Sequence, residues 1–465
     1  MKEIRILQSS AMGYGNVSAT EMERGLELDP HVVVGQGTSS DPGPSYLGQD
    51  KVYGYVGKIN KKRDIGLIVG SANKKRIPFI FSGGSPSGSN FQLEGVLRMV
   101  NELAHENGYN LRIAVIRGEI PKEYLIQKVK SGAIAKRLIA TDRLSEVLSI
   151  EDIIRSKRIV AQMGPEPIMK ALELGVDGVI TGRALDIGLY MAYPLLKGFN
   201  KSVVAHAAKT IECGALCCDP PINGNVFATI QNDHFVVFPL TDERRCTTRS
   251  VAAHAFYERP DIRKELNPGG YLDVSEARFE QRDEKTVKVS NGKWISLPYT
   301  IKLEGVKPMG FRTITICGVR DSSLINYIDP FLKRIRDDTR DKFASEEPFH
   351  IHFRIYGKNA VLGEAEPMTK ITGHEVCVIP EVIARKQEIA TSICSYIRGR
   401  IFFSDYPMRT STAGNVAIPF SPAEIEMGEV YLWNIWHALQ LDDPCEPFAM
   451  KVIQFPNNEQ SQWED

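Results

Sequence analysis

Over the first 200 residues, a short apolar run, a loop of Gly, Ser, Thr or Pro, and a segment of helical periodicity follow one another repeatedly. "IRILQSS", "HVVVGQGTSSD", "IPFIFSGGSPSGSN", "LRIAVIRGE", "RIVAQMGPEP" and "DGVITGRALD" each open as a strand rich in Ile, Val and Phe. Runs so continuously apolar fit strands buried on both faces. Between them, "FQLEGVLRMVNELAHENG" sets Leu93, Val96, Leu97, Val100 and Leu103 at helical spacing and stops at Asn107-Gly108, a C-terminal helix signal. "EPIMKALELG" repeats the pattern with Ile168, Ala171 and Leu172 and ends on Gly175. Strands alternating with helices imply an α/β fold, a parallel sheet with right-handed crossovers.

From about residue 225 the rhythm changes. "NVFATI", "HFVVFPL", "KTVKVS" and "KWISLPYTIKL" follow one another across short turns, among them Asn291-Gly292, and read as an antiparallel or mixed region. Later come the strands "FRTITICGV" and "FHIHFRIYG", the helix "IPEVIARKQEIATSICSYIRGR" and a Pro-rich close. The expectation is a parallel-sheet domain with a mixed-strand extension over residues 1–300 and a smaller α+β domain over 301–465. The polar tail "FPNNEQSQWED" is expected to fray.

Lysine plus arginine equals aspartate plus glutamate at 57 each. No global field therefore draws the chain to nucleic acid or an anionic membrane, and small anionic metabolites are the expected partners. The N-terminal apolar run is interrupted by Arg5 and is too short for a signal peptide. No apolar window approaches the roughly 18 to 20 residues that span a bilayer. A cytoplasmic protein, with no membrane partner and a tendency to homo-oligomerise, is expected. The eight cysteines are scattered and two, Cys217 and Cys218, are adjacent, which suits free, mostly buried thiols better than a disulfide scaffold.

Open parallel sheets hold ligands outside the carboxyl ends of their strands. Ser82, Gly83, Gly84, Ser85, Ser87, Gly88 and Ser89 follow "IPFIF" and precede a helix, so that loop can cradle a phosphate or carboxylate, or serve as a solvated connection. It lacks the GK[ST] ending of a P-loop, and an ATP-dependent enzyme is not supported. "MGYGNVSA" approaches the dinucleotide fingerprint but lacks its third glycine. The second strand ends in Gly-Gln where that fingerprint needs an acid, so NAD is not supported either. The long loop 35–50 carries Asp41 as a base or metal ligand, or as an Asx turn before Pro42.

In "VITGRALDIG", Gly182 lets the chain turn and Arg183 stands at the strand tip, where a guanidinium fork matches carboxylate or phosphate. Asp186, three residues on, can pair with Arg183 or serve the substrate. Glu166 lies between two prolines that fix its backbone, as a positioned carboxylate or simply at a helix start. "TIECGALCCD" brings Glu212 and Cys213, but C-x₃-C-C is no zinc or iron–sulfur spacing, and buried structural cysteines are expected. His350 and His352 share one strand face, where they can chelate a metal or simply face solvent. No G-x-S-x-G elbow, H-E-x-x-H helix or kinase set is present.

Several stretches together resemble the acyclic terpene utilisation AtuA family: "GVDGVITGRALDIGLY" (176–190), "IECGA" (211–215), "TTRSVAAHAFYERPDIRKELNPGGYLDVSEARF" (247–279), "FRIYGKNAVLGEAE" (353–366) and "TAGNVAIPFSPAEIEMGEVYLWNIWHAL" (412–439). The family is bacterial and linked to breakdown of compounds such as citronellol and geraniol and their acyl-CoA derivatives. Gly182, Arg183 and Asp186 match its G-R-x-x-D element, and Glu212, Cys213 and Gly214 its E-C-G element. Thr247 and Thr248 fall at its Thr-rich phrase before a helix, where a Thr pair is first an N-cap. This chain departs from the family after its first strand and in "LCCDPP", which marks a divergent branch.

The resemblance and the residues together imply a catabolic enzyme acting on a small carboxylate or acyl-CoA. Arg183, Gly182, the Ser82–Ser85 loop, Glu212 and Cys213 would hold the substrate. Glu166, Asp41 or Asp186 would supply acid–base chemistry of a lyase, hydratase or isomerase, and a divalent metal on carboxylates is a compatible helper. The alternative is a non-catalytic metabolite-binding subunit of a multi-component system, which predicts weak pocket chemistry and a large apolar surface patch.

Overall fold

The computed structural model describes residues 2–10, 16–50, 57–83, 86–139, 145–257, 259–346, 348–411 and 415–457. The strands β1 (Ile4–Gln8), β2 (Val32–Gly35), β3 (Phe79–Ser82), β4 (Leu111–Ile116) and β5 (Gly178–Thr181) pair in parallel in the order β1-β2-β3-β5-β4. Their side chains alternate across the sheet. Val33, Phe81, Val115 and Ile180 pack on one face with Met22, Ile68 and Val96 from α1 (Ala19–Glu27), α2 (Lys58–Lys75) and α3 (Asn90–Asn107). Val34, Ile80, Ile116 and Val179 pack on the other with Ile168, Leu189 and Val204 from α4 (Pro165–Glu173), α5 (Asp186–Leu196) and α6 (Lys201–Ile211).

Helices formed before β4 therefore cover one face, and α4 to α6, formed after it, cover the other. Each fully buried Val, Ile or Phe on either face stabilises by roughly 1.5–3 kcal/mol, which is why these strands read as unbroken apolar runs. Helix α3 begins where Ser89 accepts a bond from the Gln92 amide and ends at Gly108, whose φ is 66°, in agreement with the stop signal in the sequence.

Antiparallel strands widen this sheet to ten. Val226–Ile230 lines up on β1, His234–Pro239 on Val226–Ile230, and Met450–Phe455 on β4. One expectation needs correction. "RIVAQ" forms the strand Arg158–Gln162, but it pairs antiparallel with Lys302–Val306 and stands outside the parallel sheet. An apolar run reports burial on both faces and does not name its neighbour. Asn291-Gly292 joins Val287–Ser290 to Lys293–Ser296, yet these strands do not pair with each other. The left-handed Asn291 (φ 62°) redirects the chain from the large sheet into a three-stranded one instead.

The chain divides into two compact units, residues 1–306 with 433–465, and residues 307–432. Where the sequence places a division at residue 300, the chain leaves the first unit after Val306 and returns to it at Trp433. The second unit is an antiparallel sheet whose strands include Phe349–Tyr356 and Val376–Ala384, packed on the helices Ile328–Lys342 and Gln387–Phe403. Phe349, Ile351, Phe353 and Ile355 point inward, which leaves His350 and His352 exposed on the opposite face. Among the described residues, no helix is long and apolar enough to cross a membrane.

The close of the chain is also corrected at its start. Phe455 is fully buried and pairs with Leu111, and the Asn457 amide donates to the Asn101 side chain at 2.7 Å. Residues 458–465 lie outside the described ones. Phe455→Ala should therefore cost about 3–5 kcal/mol of stability. A denaturant midpoint within about 0.5 kcal/mol of the parent, as surface positions give, would show Phe455 to be frayed after all.

Candidate active site

At the carboxyl edge of β5 the backbone turns through Gly182 into Arg183 in a space with no room for side chains. A Cβ on Gly118 would lie 2.1 Å from the Arg183 nitrogen, and one on Gly88 2.3 Å from it. The Arg183 amide donates to the Gly88 carbonyl at 3.2 Å and the Gly182 amide to the Ile116 carbonyl at 2.8 Å. Three glycines thus let three loops meet around one arginine.

The arginine points inward. Its side chain is 5% exposed, and its Nε lies 2.8 Å from the Glu304 carboxylate, itself 1% exposed. Nη2 also reaches Glu304, and Nη1 donates to the carbonyls of Thr38 and Ala184 at 2.9 and 3.0 Å. Glu304 further accepts from Lys302, Gln162 and Ser40. Burial would raise its carboxyl, but Arg183 and Lys302 outweigh burial and hold it down at about 2. Arg183 is therefore engaged by the fold, and its close carboxylate partner is Glu304, where the sequence pointed to Asp186.

Asp186 opens α5, where unpaired helix N–H groups favour an anion. With its amide turned so that the nitrogen faces this carboxylate, the Gln36 side chain donates to both of its oxygens at 3.0 Å. Burial is the largest influence on this carboxyl and raises it. Arg183 and Lys209 pull it down, Asp41 and Glu304 push it up, and it settles at about 6. That is a proton acceptor poised near neutral pH.

On α6, Lys209 and Glu212 are one turn apart and meet at 2.5 Å, with side chains only 5% and 7% exposed. Burial pushes Glu212 up to about 8 against the pull of Lys209. The Cys213 sulfur lies 2.9 Å from the Tyr257 hydroxyl, and burial, with Glu212 beside it, drives the thiol up to about 12. It is a neutral thiol near pH 7 and no nucleophile. From β1, Gln8 reaches the Glu212 carbonyl and the Tyr190 hydroxyl.

One further wall comes from the segment after the helix Thr248–Phe256. Arg259 has a side chain 1% exposed with its Nε 2.7 Å from Glu265, while its buried Nη2 has no hydrogen-bond partner. The His254 ring stacks on Tyr257 at 4.8 Å and its buried Nε2 is also unpartnered. Burial, with Lys209 and Arg259 nearby, lowers His254 to about 4, so the imidazole is neutral.

The other candidates are placed differently. Glu166 accepts from the Tyr299 hydroxyl at 2.7 Å and is not among the principal charged neighbours of Asp186. Ser82 accepts from the Gly37 amide at 2.7 Å and Gly83 donates to the Thr181 carbonyl at 2.7 Å, so both tie loops together. Gly84 and Ser85 lie outside the described residues. Asp41 is exposed but acts electrostatically on both Arg183 and Asp186. Thr247 caps its helix, accepting from the Ser250 amide. A cleft of about 340 Å³ lined by Leu93, Leu97, Arg117, Glu119 and Met450 shares none of the residues around Asp186.

No set of three carboxylates or imidazoles at metal-ligating distance occurs among the described residues, and the group that does is Cys217, Cys218 and Cys246. The Gly-Arg-x-x-Asp and Glu-Cys-Gly elements thus bring Asp186 and Glu212 within electrostatic reach of one another. A family model described as acyclic terpene utilisation family protein AtuA matches residues 63–407, most of the chain. The chain belongs to the AtuA family. The match takes in Arg183, Asp186, Lys209, Glu212, Arg259 and Glu304, and leaves Gln36 and Asp41 before it. Comparisons with curated proteins and with solved structures give no match.

Lys209, His254, Arg259, Glu304 and Gln36 escape the sequence reading of this AtuA-family chain. Two signals were available. Lys209 and Glu212 stand at i,i+3 in an otherwise apolar helix, and Lys302 and Glu304 share one face of an apolar strand.

The two carboxylates respond to pH with opposite signs. Glu304 sits below its ordinary 4.5, so its contribution is complete above that value and is lost as pH falls toward about 2. Asp186 sits above its ordinary 3.8, so its cost is absent below that value and complete above about 6. Arg183→Ala should lower stability by about 3–5 kcal/mol by stranding Glu304. Asp186→Asn should raise it at neutral pH by on the order of 2 kcal/mol, a gain that shrinks toward pH 4. Denaturant midpoints between pH 3 and 8 check both, and an Arg183→Ala midpoint equal to the parent's would return Arg183 to the substrate.

Proposed function

We propose that this protein is a catabolic acid–base enzyme that removes a proton next to the carbonyl of a small carboxylate or acyl thioester. The observation that carries the reading is the pairing of a poised base with unused buried donors. Asp186 is within electrostatic reach of the Lys209–Glu212 pair, and so are Arg259 and His254, whose buried Nη2 and Nε2 have no partners. A buried polar atom left unbonded costs about 1–3 kcal/mol. A carboxylate or thioester oxygen arriving there would relieve that cost.

In this reading Arg259 and Lys209 form the positive pole and receive the substrate's anionic group or carbonyl oxygen. The Asp186 carboxylate takes the α-proton and becomes the carboxylic acid, while the electron pair of the C–H bond passes into the enolate. Lys209 and Arg259 then face the developing oxyanion in surroundings where such charges act strongly. Gln36 fixes the orientation of the base, and Glu212 keeps Lys209 in place. Arg183, engaged with Glu304, holds the loops that carry Asp186 and Thr38. Membership of the AtuA family supports a catabolic setting. The buried titratable groups favour chemistry over passive metabolite binding.

Deuterium exchange tests this whatever the final product of the reaction. A panel of CoA thioesters and branched free carboxylates is incubated with the protein in D₂O and read by NMR at the α-carbon. At least one should exchange. Asp186→Asn should slow that exchange by about 10²- to 10⁴-fold with little change in Kd. Arg259→Met should chiefly weaken binding, by tenfold or more, as loss of a charge-assisted bond worth about 1.5–3 kcal/mol requires. Exchange undiminished in Asp186→Asn would remove Asp186 as the base.

A further inference from the structure

Cys217, Cys218 and Cys246 come from two places in the chain and converge at one point. All three are buried, at 0%, 1% and 0% exposure, and their sulfurs lie within 4.8 Å of one another. The Cys218 and Cys246 sulfurs are 3.5 Å apart. The backbone holds them there. The Cys218 amide donates to the Ala215 carbonyl at the end of the short 3₁₀ helix Gly214–Cys217. The next residue, Asp219, exchanges a pair of backbone bonds with Arg245 at 2.8 and 3.0 Å, which clamps Cys218 and Cys246 side by side. The Cys246 amide donates to the Lys285 carbonyl, and its own carbonyl accepts from Gln281 at 2.9 Å.

Buried cysteines that merely pack need no such convergence of sulfurs. We propose that Cys217, Cys218 and Cys246 bind one thiophilic d¹⁰ metal cation through their three sulfurs, at a site that the Asp186 chemistry does not use. A metal–sulfur bond of about 2.3 Å sets sulfurs about 3.8–4.0 Å apart in tetrahedral or trigonal geometry. That spacing falls between the 3.5 Å contact and the 4.8 Å limit of the group. An all-sulfur set selects a soft ion such as Cu(I), or Zn(II), over Mg(II) or Ca(II). Among the described residues no fourth His, Cys, Asp or Glu joins the group, so three-coordinate Cu(I) is the favoured occupant, and Zn(II) would have to find its fourth donor elsewhere.

The charge around the site is compatible. Binding releases thiol protons and leaves thiolates, and the guanidinium of Arg244 acts on Cys218 from nearby.

The test uses the full chain, stripped with a chelator under anaerobic reducing conditions and titrated separately with Cu(I) and with Zn(II). The expected result is one equivalent bound per chain. Bound metal should protect three cysteines from alkylation, mapped by mass spectrometry to Cys217, Cys218 and Cys246. X-ray absorption should count three sulfur neighbours, alone for Cu(I) or with one lighter atom for Zn(II), and either pattern supports the site. Cys246→Ser should weaken binding at least a hundredfold, and Cys377→Ser, in the other unit, should leave it unchanged. If Cys246→Ser does not fold, the protection map of the parent chain decides. Binding of neither ion, protection spread over other cysteines, or a metal-free Cys218–Cys246 crosslink as the stable form would overturn the proposal.

Discussion

The Arg183–Glu304 pair is the interaction on which the rest of the candidate site depends. Taking two charges out of water is costly, and the pair is tolerable because nearly every polar atom on it is bonded. Arg183 serves Glu304 and two backbone carbonyls, and Glu304 collects Lys302, Gln162 and Ser40 as well. These bonds join the loop after β2, the tip of β5 and the strands Arg158–Gln162 and Thr300–Ile314. Gly88 and Gly118 extend the same logic, since side chains there would collide with the Arg183 backbone. Asp186, three residues beyond, is positioned by this knot and does not form it.

Much of the fold is legible in the sequence for a simple reason. Strands buried on both faces must be apolar throughout, and helices that cover them must carry one apolar stripe, so β1 to β5, α3 and α4 announce themselves. What the pattern cannot convey is which strand lies beside which. Arg158–Gln162 reads like its parallel neighbours yet pairs with Lys302–Val306, and β5 inserts between β3 and β4 although it follows both in sequence. The last strand, Met450–Phe455, joins β4 across more than 300 residues of chain, and no local signal marks that return.

The site was legible in its elements but not in its pairings. Gly-Arg-x-x-Asp and Glu-Cys-Gly stand out in the sequence, and the structure brings their Asp186 and Glu212 within electrostatic reach of one another. The roles shift because a charged side chain's function follows from what it can reach. Arg183 looked free to hold an anion only while Glu304, 121 residues away, was out of view. Glu166 looked poised until Tyr299 took its oxygen. Arg259 and His254 show the converse. Neither sits in a motif with a chemical meaning of its own, yet burial without a full set of partners makes them the atoms with bonding capacity to spare.

That spare capacity matters because it runs against stability. A half-buried carboxyl raised to about 6 and buried nitrogens left unbonded both weaken the folded state. A fold selected only for strength would replace them, as it has satisfied Arg183 and Glu304 along the same sheet edge. The contrast within one neighbourhood separates the two kinds of polar group. Where every bond is made, the residues hold loops together. Where bonds are missing around an acid poised near neutrality, the arrangement is unfavourable until a partner completes it, and this difference is what supports the proposal of chemistry at Asp186, with Arg183 as the support behind it.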